Sequence, residues 1–205
     1  MNNGGLQTLD VGQANELKLA LRRAGYSNGE VKKLCEGTIL AEFRDVLLGY
    51  AEVKTIAHVV NLDADPFVPA GWKVEKHEKG GSFKWHPKDV QFYLSRQQRR
   101  GETIKGDKLR RKLMGKPVMN ANLLDYLLAN PHLIPEDWKR DEQECPRFIF
   151  FWGTVYRDLA RGDYGSLCVR CLYWGGDKWC WGRLWLDNEF DVQRPAALHA
   201  LRRLL

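Results

Sequence analysis

Two aspartates separated by one residue, Asp63 and Asp65, have the spacing that a metal-dependent hydrolase uses. They follow the segment "VVNL", which is predicted to end a strand, and one class of phosphatases places a nucleophile, a general acid and a magnesium ligand in this way, directly after a strand. Further ligands would come from the segment that follows them: Glu75, His77 and His86. However, Asp65 precedes Pro66, which is typical of a turn, and no later acidic pair follows a predicted strand. A small metal-dependent hydrolase at this site therefore ranks third among three hypotheses.

The cysteines have one spacing that suggests a metal. Cys168 and Cys171 form a CxxC pattern, which suits zinc when it lies in a turn. This pair lies inside an apparent strand, where residues three apart point to opposite faces. Cys171 and Cys180 become cross-strand neighbours if Gly175 and Gly176 form a two-residue turn, whereas a three-residue turn separates them. No histidine lies nearby in the sequence, so we expect buried free thiols and no bound metal.

The densest cationic segment is "SRQQRRGETIKGDKLRRKLMGK", with nine Lys or Arg in 22 residues against two acids. Such a segment can neutralise several phosphates and would bind nucleic acid with a strong salt dependence. The alternative is a solvated face on two short helices, which is the usual role of a charge run. The candidate nucleic-acid contacts in this segment are Arg96, Arg99, Arg100, Lys105, Lys108, Arg110, Arg111 and Lys112.

A second candidate interface lies near the beginning of the chain, in "ELKLALRRAGYSNGEVKKLCEG". Two helical patterns are joined there by a turn that contains glycine, as in a helix-turn-helix. In the DNA-binding version the second helix contacts base edges while basic residues contact phosphates. Glu30 and Glu36 would repel phosphates, so a plain three-helix bundle is the alternative. The candidate contacts are Arg22, Arg23, Lys32 and Lys33.

The segment "CLYWGGDKWCWGRLWL" holds four of the eight tryptophans. Strand alternation predicts one face that is rich in aromatic rings and arginine: Arg170, Trp174, Trp179, Trp181, Arg183 and Trp185. An open face of this kind can stack bases or bind a protein partner, since Trp and Arg are common anchors. Alternatively, the rings pack under helices with the arginines stacked on them. We expect mostly core with one exposed edge.

The elements that must position these residues fall into two parts. The pattern of residues 1–52 predicts a unit of three helices joined by short turns. The first of these helices ends at Gly25. Residues 53–205 predict a mixed domain that ends in a three-stranded antiparallel meander, from "RFIFFWGTVYR", "SLCVRCLYW" and "KWCWGRLWL". The fold class is therefore α+β, with the meander packed on the helices of the middle segment.

The middle segment predicts a strand in "TIAHVV", and then a hairpin around Gly80 and Gly81 in "WKVEKHEKGGSFKWHP", because apolar and charged residues alternate there. Three helices follow, in "PKDVQFYLSRQQRR", "KGDKLRRKLMGK" and "NANLLDYLLANP", the last of them capped by Asn120. After the meander, the residues from Pro195 onward predict a closing helix, because proline is favoured in a first helical turn.

Composition limits the function classes. The net charge of +6 permits a polyanionic partner, DNA or RNA, without requiring one. No apolar run approaches the roughly 18 residues that span a bilayer, and the first ten residues have no secretion-signal pattern. Five cysteines without a regular framework fit a reducing compartment. We expect a cytoplasmic protein without a membrane partner.

Five segments together carry a resemblance: "DVGQANELKLALRRAGYSNGEVKKLCEG", "ADPFVPAGWKVEKHEKGG", "NANLLDYLLANPHLIPEDWK", "FFWGTVYR" and "RLWLDNEFD". They resemble uncharacterised hypothetical proteins of small-genome bacteria from the candidate phyla. The resemblance covers most of the chain and implies a bacterial, cytoplasmic protein, with no catalytic residues. The loop "DLARGDYG" is longer than the Asp-Gly hairpin of those proteins, which indicates a local insertion.

The leading hypothesis is a non-enzymatic nucleic-acid-binding module, because the cationic charges are clustered. The second is a protein-interaction module that uses the aromatic sheet face. The chain contains no Gly-rich phosphate loop, serine elbow or HExxH motif, so the sequence predicts no cofactor.

Overall fold

The computed structural model describes residues 10–54, 56–160 and 165–200. The chain divides into two compact units, Met1–Ile56 and Ala57–Leu205. The insertion predicted at residues 158–165 and the closing helix predicted from Pro195 onward both lie partly outside the described residues. No helix in the described ranges is both long enough and apolar enough to cross a membrane.

The first unit contains the three predicted helices: α1 (Val11–Arg23), α2 (Asn28–Leu34) and α3 (Ile39–Leu47). Asp10 caps α1 by accepting a hydrogen bond from the Gln13 amide at 2.8 Å, and Ser27 caps α2 in the same way. Side-chain caps satisfy amides that have no partner at a helix start, which is why these helices begin where they do. None of the three helices has a buried residue.

The second unit is built on a six-stranded sheet. Its strands are β2 (Trp72–His77), β4 (Val90–Tyr93), β6 (Phe148–Asp158), β7 (Ser166–Trp174), β8 (Trp179–Trp185) and β10 (Ala196–His199). The strand order is β4-β10-β6-β7-β8, and β2 also pairs with β6. Strand β6 lies at the centre, because β7 pairs along it while β10 pairs near its start and β2 along its second half.

Smaller elements surround this sheet. Two-stranded ladders join β1 (Val59–Asn61) to β3 (Ser82–Lys84), and β5 (Ile104–Lys105) to β9 (Glu189–Phe190). The helices are α4 (Arg96–Arg99), α5 (Gly106–Leu113) and α6 (Ala121–Ala129). The predicted helices in "KGDKLRRKLMGK" and "NANLLDYLLANP" are thereby confirmed, and Asn120 caps α6 as expected. The strand predicted in "TIAHVV" is reduced to β1, which begins at Val59.

The predicted hairpin around Gly80 and Gly81 is wrong. Both of its strands exist, but β2 pairs with β6 and β3 pairs with β1. Beyond the end of β2 at His77, the Glu78 amide donates a hydrogen bond to the Gly153 carbonyl at 2.6 Å. The contact with β6 therefore continues past the strand. Alternation along a sequence indicates a strand, but pairing depends on which neighbour buries its apolar face.

Two predicted helices are replaced mainly by strands. The segment 87–100 forms a 3₁₀ turn, then β4, and only then the four-residue α4. The segment from Pro195 forms β10, which pairs antiparallel with β4 and parallel with β6. Alanine and leucine favour helices, yet Ala196 and Ala197 are fully enclosed between two strands. Small residues fit this interior position, so the tertiary context overrides local propensity.

The C-terminal meander of β6, β7 and β8 is confirmed, but the connection between β7 and β8 is longer than either the two-residue or the three-residue turn considered from the sequence. Trp174 pairs with Trp179, so that residues 175–178 form the loop, and the Gly175 amide donates to the Lys178 carbonyl at 2.8 Å. Relative to the pairing that a two-residue turn would give, the register of β8 is shifted by two residues. Because the side-chain period is also two, the predicted faces are unchanged. Cys171 lies opposite Gly182 rather than Cys180.

The core covers both faces of the sheet. On one face, α6 and Trp138 pack against Ile149, Phe151 and Leu172. On the other face, α5 packs with Phe190 against the neighbouring side chains of β6 and β7. Strand β6 is buried almost throughout, as a central strand between two layers should be.

Candidate nucleic-acid interface

The eight predicted cationic contacts of the middle segment lie on consecutive elements, and we call them the basic surface. They are Arg96 and Arg99 on α4, Arg100 at its end, Lys105 on β5, and Lys108, Arg110, Arg111 and Lys112 on α5. Leu109 and Leu113 of α5 are buried. The apolar side of α5 is therefore fixed to the core, and its cations are held on a rigid helix. Seven of the eight residues are exposed, and Arg110 is half-buried.

None of these eight side chains forms an ion pair with an acidic residue in the described part of the chain. Some other cations of the second unit are paired, for example Arg157 with Glu75 at 2.9 Å, whereas others such as Lys84 and Lys88 have no acidic partner among the described residues. Five of the eight cations stand in the last turn of their helix, where they stabilise the helix dipole: Arg96 and Arg99 in α4, and Arg110, Arg111 and Lys112 in α5. That role accounts for part of their placement, but it leaves Lys105 and Lys108 unexplained.

An open cavity of about 680 Å³ lies between α5, β2 and β6. Arg110 and Arg111 line it from α5, and Lys76 reaches it from β2. Asp107 and Glu78 are its acidic residues, and Glu78 is paired with Lys76. Its apolar wall consists of Leu113, Met114, Val118, Trp152 and Val155. The cavity is thus lined by two cations of the basic surface and by Lys76, which is distant from them in the sequence.

Trp152 is the most unusual residue of this cavity. Its side chain packs against Phe190 with ring centroids 5.2 Å apart, and the residue is only 3% exposed. Its indole Nε1–H has no hydrogen-bond partner among the described residues. The nitrogen atom itself has less than 1 Å² of accessible area, so it is enclosed in the core and does not face the open cavity.

The aromatic sheet face is mostly filled from within the second unit. Arg170 is 1% exposed, and its guanidinium donates to both carboxylate oxygens of Asp125 at 2.6 and 3.0 Å. The same guanidinium lies 4.5 Å from the Trp181 ring centroid and 5.3 Å from that of Phe67. Burial alone lowers the pKa of Arg170, but the hydrogen bonds and charge of Asp125 raise it overall. Arg170 is therefore a charged structural clamp.

The remaining members of this face also pack against partners. Arg183 lies over Trp185 at 4.9 Å and approaches Asp158 at 3.6 Å. Trp179 is buried and meets Trp174 edge-to-face at 5.5 Å. Trp181 is 36% exposed and forms the open edge of the face.

The four N-terminal candidates, Arg22, Arg23, Lys32 and Lys33, are all exposed in the last turns of α1 and α2. Cations at these positions stabilise a helix dipole. They belong to a different unit from the basic surface, and each set is therefore a separate candidate interface.

The candidate hydrolase residues serve mainly in local hydrogen bonds. Asp63 accepts a hydrogen bond from the Gly81 amide at 2.8 Å. His77 contacts the Thr154 hydroxyl at 2.8 Å and the Leu62 carbonyl at 3.1 Å. Glu75 pairs with Arg157, and His86 accepts a hydrogen bond from the Lys88 amide. Within the described ranges, no three His, Cys, Asp or Glu residues are placed to hold a metal ion.

Cys168 and Cys171 lie in different core clusters on opposite faces of β7, as the alternation predicted. Both thiols are buried, and burial raises the pKa of each from the ordinary 9.0 to about 12. Such thiols remain protonated at neutral pH. All five cysteines are free.

Sequence reasoning missed Lys76, Trp152 and Asp125 as members of these sites. Trp152 lies within a continuous apolar run, where nothing distinguishes an unpartnered indole from ordinary core. Lys76 lines the same cavity as the α5 arginines only because β2 pairs with β6 rather than with β3. Comparison of the chain with protein-family models, curated proteins and solved structures gives no match.

Proposed function

We infer that this protein binds nucleic acid through the basic surface. The observation that supports the proposal is a set of eight cationic side chains, on α4, β5 and α5, that form no ion pairs with described acidic residues. Unpaired surface cations repel one another, so a polyanion that neutralises them lowers the electrostatic free energy of the folded protein. Because α5 is anchored by Leu109 and Leu113, little ordering is needed when phosphates are bound.

The test is fluorescence anisotropy of labelled single-stranded and duplex oligonucleotides, DNA and RNA, at low and moderate salt. Binding through phosphates predicts a linear fall of log affinity with log salt, by about 0.9 per contacted phosphate for duplex DNA. Stronger binding of single strands would indicate additional stacking on exposed rings such as Trp181.

The sharpest variant is Lys108→Gln, Arg111→Gln and Lys112→Gln combined, since all three side chains are exposed on α5. A matched control removes the same charge elsewhere, with Lys84→Gln, Lys88→Gln and Lys178→Gln, which are also exposed. We expect the first variant to lose about tenfold or more in affinity and to lower the salt slope by up to about one unit per residue. Equal effects of the two variants would contradict a specific surface.

A second candidate function is binding of a protein partner at the edge of the aromatic face. Trp181 and Phe67 are both exposed although both rings lie against the guanidinium of Arg170, and exposed Trp beside Arg is typical of interface anchors. This function predicts association that is insensitive to salt and that Trp181→Ala abolishes without unfolding. Sedimentation of the wild type and the variant at two salt concentrations would test it.

A further inference from the structure

We propose that the protein forms a two-fold symmetric dimer in which β8 of one copy pairs antiparallel with β8 of a second copy. The inference rests on the second candidate function, protein binding at the aromatic edge, and gives that function a partner. Strand β8 lies at one end of the sheet and, within the described residues, pairs only with β7. An exposed strand edge is a template for pairing with another strand.

The outer side of β8 presents backbone groups that have no partner, and we call the amides and carbonyls of Trp181 and Arg183 the free edge. The Leu186 amide donates to the Leu167 carbonyl of the β7 side at 2.9 Å. Because hydrogen-bonded and non-hydrogen-bonded pairs alternate along an antiparallel ladder, the even-numbered residues of β8 bond to β7. The groups of the free edge therefore point outward, and they form no hydrogen bond with any described residue.

The other edges of the sheet have features that prevent pairing, whereas β8 does not. Strand β2 carries three charged side chains, and its register with β6 shifts between Val74 and Lys76. Strand β4 has only four residues. Charge, irregularity and shortness all discourage contact between sheet edges. Strand β8 has seven residues, one charged side chain and an unbroken register with β7, which is typical of an edge that another strand covers.

The sequence of β8 is complementary to a second copy of itself. When the two-fold axis passes beside Gly182, Trp181 lies opposite Arg183 of the second copy, and Arg183 lies opposite Trp181. Each of these pairs then exchanges both of its outward hydrogen bonds. The pair at the axis consists of two glycines, which have no side chains to clash. A two-fold dimer covers both free edges and leaves none for a third copy.

The side chains select this register over its neighbours. The Arg170 guanidinium already lies 4.5 Å from the Trp181 ring centroid, and the dimer adds Arg183 of the second copy beside the same exposed ring. An axis beside Arg183 would place like charges directly opposite each other, which is destabilising. An axis beside Trp181 would place Arg183 opposite Trp179, which is buried. The axis beside Gly182 therefore gives the best pairing.

The first experiment removes one amide of the free edge. Arg183→Pro deletes an outward N–H, and proline is tolerated on an edge strand where the N–H faces solvent, so the ladder with β7 is retained. Arg183→Ala is the matched control, because both variants lose the arginine side chain and only one loses the amide. We expect the dimer dissociation constant, measured by sedimentation equilibrium, to be about tenfold or more higher for Arg183→Pro than for Arg183→Ala, since half of the interchain bonds of the free edge are lost.

A second measurement uses the wild type alone and does not depend on how the proline variant folds. Amide hydrogen exchange is followed by NMR at low and high protein concentration. The amides of Trp181 and Arg183 should exchange about tenfold or more slowly at high concentration, where the dimer forms. The amides of Gly182 and Leu184, which bond to β7, should be protected at both concentrations.

The outcomes separate the inference from the functions on which it builds. Association that Trp181→Ala abolishes, but that is equal in Arg183→Pro and Arg183→Ala, would overturn the strand pairing and leave the second candidate function intact. A wild type that remains monomeric, with freely exchanging amides at Trp181 and Arg183, would overturn both. Open-ended assemblies would overturn the two-fold register. Nucleic-acid binding by the basic surface is measured separately by anisotropy.

Discussion

At the scale of single residues, the structure shows how buried charge is stabilised beside aromatic rings. Arg170 is enclosed in the second unit, with Asp125 accepting two of its hydrogen bonds and Trp181 and Phe67 against its plane. The sequence predicted the ring face and the presence of Arg170 on it. It did not indicate Asp125, because a single acidic residue in a predicted helix is ordinarily expected on the solvent-exposed side of that helix.

The first prediction concerns this pair. Asp125→Asn removes the charge that compensates buried Arg170, and we expect the free energy of unfolding to fall by about 2–4 kcal/mol. The partial exposure of Asp125 makes the lower end of that range more appropriate. Denaturation by urea measures the effect. Glu75→Gln is the control, because its partner Arg157 is 23% exposed whereas Arg170 is 1% exposed, and the hypothesis fails if both variants lose the same amount.

The second prediction concerns stability at alkaline pH. Below about pH 8 the thiols of Cys168 and Cys171 are protonated in both the folded and the unfolded chain, so they cause no pH dependence there. Between pH 9 and about 12 the unfolded chain loses these protons while the folded protein retains them. The free energy of unfolding therefore falls as the pH rises, by at most about 1.4 kcal/mol per pH unit for each thiol.

Urea denaturation at several pH values between 8 and 10 measures this slope. The double variant Cys168→Ala, Cys171→Ala should have a flatter slope, although it is less stable at every pH because it loses buried side-chain volume. Tyr156, whose pKa is also raised by burial, contributes a further decline at higher pH in both proteins. An unchanged slope in the double variant would show that the thiols are not the titrating groups.

At the scale of elements, strong periodicity was a reliable guide and pairing was not. The helix predicted in "KGDKLRRKLMGK" and the strand predicted in "RFIFFWGTVYR" both form, but the predicted meander left β6 at an edge, whereas β10 and β2 make it central. The segment 87–100 was misleading because Pro87 suggested a helix start, whereas Val90 and Phe92 alternate as residues of a strand. The basic surface was predicted because its residues are consecutive. The cavity was not, since its walls come from three separated segments that meet only through the β2–β6 pairing.

The third prediction tests the close packing of β6 on the start of α6. A Cβ atom at Gly153 would lie 3.0 Å from the backbone N and Cα of Asn120, which caps that helix. We therefore expect Gly153→Ala to destabilise the protein by about 1–3 kcal/mol, as measured by thermal or urea denaturation. At Gly29 in α2 the nearest atom is 4.0 Å away, so Gly29→Ala should be neutral or slightly stabilising. The reverse order would contradict the packing.

At the scale of the whole molecule, the two units are stabilised differently. The three core clusters consist entirely of residues from the second unit. In the first unit, α1 and α2 have side-chain caps, and none of the three helices has a buried residue. Helices of this length are marginal without tertiary packing, so local interactions carry most of the stability of the first unit.

The fourth prediction follows from this difference. Amides of α1, α2 and α3 should exchange with solvent far faster than those of β6 and β7, because local opening requires little free energy where few apolar contacts are lost. Hydrogen exchange followed by mass spectrometry at neutral pH measures both sets in one sample. Equal protection of the two sets would mean that the helices are covered in solution.

The position of β10 also affects the order in which the chain can acquire its structure during synthesis. Strand β10 fills the place between β4 and β6, although it comes last among the described strands. A nascent chain that ends before Ala196 can form the meander, but β4 has no partner in the sheet and the first half of β6 lies open on the side that β10 covers. Open strand edges recruit other chains, so interrupted translation products should aggregate or be degraded. The sheet is therefore completed only after the four-residue β10 has been synthesised. Whether an incomplete chain aggregates or is degraded then depends on this short strand.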